Sequence, residues 1–128
     1  MRSRIIRFAL ATVVCLAAAS AQAFNLPITA QQVTAVAGAA QIGTDSGIIT
    51  TQSLTTAAAA TATFTIGCSA ATPFSLPMVS IQNGSNSAGS PVVTTVTPGN
   101  GVVTVVIQNI AASAALNGTL KISLIVFN

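Results

Sequence analysis

Residues 92–110, VVTTVTPGNGVVTVVIQNI, constrain the fold of this chain more than any other stretch. Two β-branched runs flank Pro98-Gly99-Asn100-Gly101, an arrangement that predicts a β-hairpin, with 92–97 returning as 102–110. An isolated hairpin is marginal in water, so this one needs further strands to cover its apolar side. Other segments offer them. ATATFTIGC (60–68) alternates as a half-buried strand does, and FSLPMVSIQ (74–82) predicts another. Pro77 marks that second strand as an edge or a bulge, because proline has no N–H for a ladder. GIITTQSLTT (47–56) reads as a strand entered through the turn GTDSG (43–47). TLKISLIVFN (119–128) places Leu120, Ile122, Leu124 and Val126 on one face, with Thr119, Lys121, Ser123, Ile125 and Phe127 on the other.

Two stretches carry mixed signals. TAQQVTAVAGAAQ (29–41) keeps helical spacing at Val33, Val36, Ala37 and Ala40, yet its Thr and Val content fits a strand. It is read as strand, as is the Ala57–Ala60 run, for which a single helical turn is the alternative. NGSNSAGSP (83–91) and AASAALNG (111–118) are loops of turn formers. Beyond position 23, Thr, Val and Ile supply 37 of 105 residues, a balance that suits pleated surfaces and not helices. The expected fold is all-β, an immunoglobulin-like or jelly-roll-like sandwich of about six to seven strands after an N-terminal signal helix.

Residues 1–23 read as that signal. Arg2, Arg4 and Arg7 form a basic region, Phe8–Ala19 an apolar one, and Ser20-Ala21-Gln22-Ala23 a small-residue cleavage site. The apolar run is short for a membrane span. The expected organisation is therefore a signal peptide (1–23), a donor or first strand (24–30) and a single β-domain (31–128), secreted or displayed at the cell surface. The formal charge of +3 rests on the three arginines of the signal. After their removal only Asp45 and Lys121 are charged, so nucleic acid and anionic membranes have no basic patch to bind. Near-zero charge also leaves little repulsion between copies.

The chemistry of catalysis is absent from the mature sequence, which has no His, Tyr, Trp, Glu or Arg. One carboxylate cannot form an acid–base pair, and a zinc or calcium site needs several ligands. The reading is therefore not an enzyme, with no cofactor or metal. Cys68 is single once Cys15 leaves with the signal. In an exported protein that suggests an intermolecular disulfide or a reactive thiol, but its place after Thr65-Ile66-Gly67 favours a small buried residue. Asp45 reads as a turn former, and Lys121 as a solvated gatekeeper against unwanted edge pairing. Thr61, Thr63 and Thr65 line one strand face, a single row of the kind that ice-binding surfaces repeat over many strands. A small outer-membrane barrel would want aromatic girdles, which a chain without Trp or Tyr lacks.

What remains is assembly. FNLPITA (24–30) places Phe24, Leu26, Ile28 and Ala30 on one face of an extended arm. An unpaired sheet edge is a template for such an arm. The chain resembles, in layout, the pilin subunits of bacterial chaperone–usher surface fibres, with a signal peptide, an alternating arm, a sandwich and an apolar last strand near an aromatic, Phe127. It departs from them in lacking an intrachain disulfide and in carrying Phe127 where tyrosine is typical. The resemblance implies assembly residues Phe24, Leu26, Ile28 and Ala30 on the donor and Leu120, Ile122, Leu124, Val126 and Phe127 on the last strand. It implies other copies of the chain as partners and a periplasmic chaperone. The alternative is a monomeric secreted binding module that holds its ligand by hydroxyls and amides of loops 83–91 or 111–118.

Overall fold

The computed structural model describes residues 28–31, 39–42 and 45–128, with side chains from residue 39 onward. The expected signal peptide and cleavage site, with Cys15, Phe24 and Leu26, lie outside the described residues. Among the described residues eight strands form two four-stranded sheets: β1 (Ile28–Gln31), β2 (Ala39–Gln41), β3 (Ser46–Thr50), β4 (Thr61–Gly67), β5 (Leu76–Asn83), β6 (Pro91–Gly99), β7 (Val102–Asn109) and β8 (Leu120–Phe127). The first sheet runs β1-β3-β8-β5 and the second β2-β4-β7-β6. Among the described strands only the β6–β7 hairpin stays within one sheet, and all other consecutive strands lie in opposite sheets. The chain is all-β, and among the described residues there is no helix.

Alternation builds the core. On β4, Ala62, Phe64 and Ile66 are buried while Thr61, Thr63 and Thr65 are exposed. On β7 the buried residues are Val103, Val105, Ile107 and Asn109, and on β8 Leu120, Ile122, Leu124 and Val126. These rows face one another across the sandwich and join Ile49, Leu54, Leu116 and Cys68 in one cluster. Each large apolar side chain fully buried there contributes about 1.5–3 kcal/mol, so the central strands β4, β7 and β8 hold the fold.

Local signals located most strands correctly. The hairpin turns at Asn100-Gly101, with Gly99 paired to Val102 and Gly101 at a φ of 72°, a conformation glycine adopts without strain. The tip is tied down, since Gly101 accepts from Cys68 N–H at 3.0 Å and donates to Ala71 O at 2.8 Å. β5 is an edge strand, as Pro77 suggested.

Two expectations are corrected. The strand expected over 47–56 stops at Thr50. Beyond it the chain leaves the ladder, though Thr51 N–H still donates to Leu120 O at 2.9 Å and Leu54 N–H to Gly118 O at 2.8 Å. Ala57–Ala60 is a turn and not a strand, closed by Ala60 N–H to Ala57 O at 3.2 Å with Ala59 at a φ of 60°. Within 29–41 the structure places β1 and β2 in different sheets, and residues 32–38 lie outside the described residues.

Candidate assembly surface

The last strand is not an edge. β8 pairs antiparallel with β3 on one side, Ile122 opposite Ile49, and with β5 on the other, Ile122 opposite Ile81. Leu120, Ile122, Leu124 and Val126 are therefore core residues of their own subunit, and Lys121, on a central strand, cannot guard an edge. Hydrophobic patterning identified the correct face but could not reveal which strands flank it. Of the proposed assembly residues on β8, Phe127 alone is exposed, directly opposite exposed Leu76. Ile28 and Ala30 stand in β1, opposite Gly47 and Ile49 of the parallel strand β3.

The two lateral sides of the sandwich differ. Short strands border one side, β1 with four register pairs and β2 with three. Long edge strands border the other, β5 and β6, which lie against each other across the two sheets. Their inward residues Val79, Ile81, Val93 and Val96 are only partly buried, whereas inward residues of β7 and β8 are sealed. This side of the core is covered less well than the middle. Neither edge strand contains a charged residue, the commonest device that blocks strand addition. β6 does carry a bulge between Val93 and Thr95, where Thr94 Oγ1 donates to Val106 O at 3.2 Å, so its edge is irregular. β5 is the more regular edge.

The loops are occupied with one another. Asn117 Oδ1 accepts from the N–H groups of Ser87 and Ala88 at 2.9 and 3.1 Å, while Asn86 Oδ1 accepts from Asn117 N–H at 2.9 Å. Thr119 Oγ1 accepts from Ser85 N–H at 2.9 Å, and Ser85 Oγ from Thr119 N–H at 3.0 Å. The most connected side chain is Asn109, fully buried at the end of β7. Its Nδ2 donates to the carbonyls of Thr56, Ala57 and Ala114 at 3.1, 3.2 and 2.8 Å, and its Oδ1 accepts from Ser90 and Ala111 N–H at 2.9 and 3.2 Å. One amide thus joins three loops. The sequence reading passed over Asn109, although an amide at a position whose i−2, i−4 and i−6 neighbours are Ile107, Val105 and Val103 signals a buried polar group that must be satisfied.

The outer face of the second sheet extends the threonine row. Thr65 lies opposite Thr104, which lies opposite Thr97, and Thr63 lies opposite Val106, which lies opposite Thr95. Three strands carry this pattern, but adjacent strands in a sheet twist by roughly 20–25°, which opposes the match to a flat lattice that an ice surface requires. The charged groups do not form a pair either. Asp45 accepts from Val126 N–H through its backbone carbonyl at 2.7 Å, while Lys121 lies about 17 Å away along β8 at the strand rise per residue. Among the described residues no three His, Cys, Asp or Glu side chains cluster as metal ligands. Cys68 is buried. Comparison with protein-family models, with curated proteins and with solved structures found no match.

Proposed function

We propose that this chain is an exported structural protein that assembles with itself, a subunit of a surface fibre, pilus or coat joined by β-strand complementation. The observation that carries the reading is the incompletely covered side of the sandwich, where the uncharged edge of β5 borders partly buried Val79 and Ile81. A strand added there completes a ladder and covers the mouth of the core. Val79, Ile81, Val93 and Val96 would together gain at most about 2–4 kcal/mol, since most of each is covered already. About four new backbone hydrogen bonds would add roughly 2–6 kcal/mol. Association costs about 4–15 kcal/mol, so the edge alone is marginal and a second contact between copies is needed.

The arm beginning at Phe24 is the proposed donor. Its described part, β1, pairs with β3 of its own chain at the sheet edge opposite β5, so donating these residues requires them to leave β3. Donor and acceptor on opposite sides give a head-to-tail contact, which builds a filament where its rotation closes no ring. Eight strands in two sheets, with almost every connection crossing between them, favour the jelly-roll-like over the immunoglobulin-like sandwich. A periplasmic chaperone that caps the β5 edge before assembly is the further partner this reading calls for. The monomeric binding module stands second, because the amides and hydroxyls of loops 83–91 and 111–118 largely satisfy each other. Light scattering after size exclusion and negative-stain imaging of the chain beginning at Phe24 test the proposal. Filaments or high-mass assemblies are expected; a monodisperse monomer at every concentration would contradict it.

A further inference from the structure

The outer face of the first sheet is not uniformly polar. At one end Leu76 lies opposite Phe127 and Met78 opposite Ile125, with Phe74 continuing the line two residues earlier. Phe74 is 97% exposed, Leu76 67%, Met78 60% and Phe127 45%. At the other end the same two strands carry Ser80 opposite Ser123 and Gln82 opposite Lys121. An apolar quadrant with a polar flank is the anatomy of an interface core and rim.

We infer that this patch is a docking surface for a second copy of the chain, packed face to face about a two-fold axis through Met78 and Ile125. The inference rests on the reading that the chain assembles with itself, but it uses a sheet face instead of a sheet edge. Size argues for this occupant. From the area that aromatic and aliphatic side chains bury, the exposed parts of Phe74, Leu76, Met78 and Phe127 amount to roughly 300–500 Å². Two copies would bury about twice that, the apolar centre of an interface in the 1,200–2,000 Å² range, with Ile125, Ser80 and Ser123 completing it. A patch of this size matches the largest that a typical monomer exposes, and such patches are often functional. Charge agrees: no charged residue stands within the quadrant, so the patch meets its own symmetry mate without burying an unpaired ion.

The patch is also pre-ordered. Ser75 Oγ donates to Asn128 Oδ1, and Asn128 Nδ2 donates to Ala70 O at 2.8 Å, which fixes the backbone that carries Phe127. Thr72 N–H donates to Ser75 Oγ at 2.8 Å and Ser75 N–H to Thr72 O at 3.1 Å, closing the turn that presents Phe74. Little further ordering is required on docking.

The test uses the chain beginning at Phe24 with Cys68→Ala, so that an introduced cysteine is the sole thiol. Met78→Cys should be joined to its mate by a bis-maleimide linker of about 10 Å, the spacing of stacked sheets. It should not be joined by direct oxidation, which needs Cα atoms within about 7 Å, closer than stacked sheets bring them. The double variant Phe74→Ser, Leu76→Ser should raise the dissociation constant of the pairwise contact at least about a hundredfold, with circular dichroism unchanged because both residues are exposed. A monomer at every concentration overturns both this inference and the self-assembly reading. Assembly at unchanged affinity in the double variant overturns the face contact alone, as does a Met78→Cys chain that oxidises directly or that the linker fails to join; strand complementation then stands.

Discussion

Replacing Asn109 with Ala should be the most damaging single polar-to-apolar change in this domain. It removes five hydrogen bonds, but their loss is not uniform. Thr56 O keeps Leu116 N–H at 2.9 Å, and Ala57 O keeps Ala60 N–H at 3.2 Å. Ala114 O, Ser90 N–H and Ala111 N–H lose their side-chain partner outright. A buried group left unpaired costs about 1–3 kcal/mol, and these three lie in loops that water can reach, so about 1 kcal/mol each applies. The space left beside Leu116 and Gly89 adds about 1 kcal/mol. The expected loss is about 3–4 kcal/mol, from a total of roughly 5–15 kcal/mol for a domain of this size. Urea titration followed by far-UV circular dichroism measures it, since the chain has no Trp or Tyr to report by fluorescence. Asn109→Asp sharpens the test. Its carboxylate would face three carbonyls in a buried site, so its folded-state pKa lies above the unfolded value. The stabilising contribution is then present at low pH and lost as pH rises through the folded pKa, so this variant should become more stable as pH falls. A loss under 1 kcal/mol in the Ala variant, or an Asp variant whose stability follows the parent across pH, would refute the account of how the loops are joined.

Thr56 Oγ1 is buried without a hydrogen-bond partner among the described residues, so Thr56→Val, nearly isosteric, should raise stability by about 1 kcal/mol in the same titration; destabilisation would show that the hydroxyl is satisfied. Cys68→Ala should cost about 1 kcal/mol through a lost core contact and leave assembly intact. A covalent dimer on non-reducing gels that disappears with this change, together with the assembly, would refute the buried reading. Ile81→Lys places an inward charge at the β5 edge; it should abolish assembly while lowering monomer stability by only about 1–2 kcal/mol, read by light scattering and urea titration together. Intact mass of the exported protein should correspond to a chain beginning at Phe24, and a species retaining Arg2–Arg7 would remove the charge argument.

Strands whose alternation is unbroken were legible because period two is a local property: β4 and β8 show it, with the threonines of β4 outward and the assigned row of β8 buried. Strand order was not legible. Nothing within 119–128 distinguishes a central strand from an edge, because the distinction depends on pairing with residues 46–50 and 76–83, far away along the chain. The run 51–60 misled for a related reason. Its β-branched residues suit a ladder, but Thr51 turns its hydroxyl to Leu120 N–H at 2.9 Å, and Ala59 leaves the β region altogether. The candidate surface was half legible. Pro77 pointed to the β5 edge and Phe127 to the exposed end of β8, while Phe74, Leu76 and Met78 read only as a strand and its approach. Their outward direction and their meeting with Phe127 come from register.

Amide hydrogen exchange on the assembled protein, compared with the monomer, addresses the proposal of self-assembly by strand addition most directly. Residues 76–83 form an edge in the monomer, so half of their N–H groups lack a ladder partner and should exchange quickly. On assembly the amides of Val79, Ile81 and their neighbours should become protected to the level of β7, with those of β8 unchanged because that strand is paired on both sides already. Assemblies in which residues 76–83 exchange as fast as in the monomer would contradict strand addition at this edge.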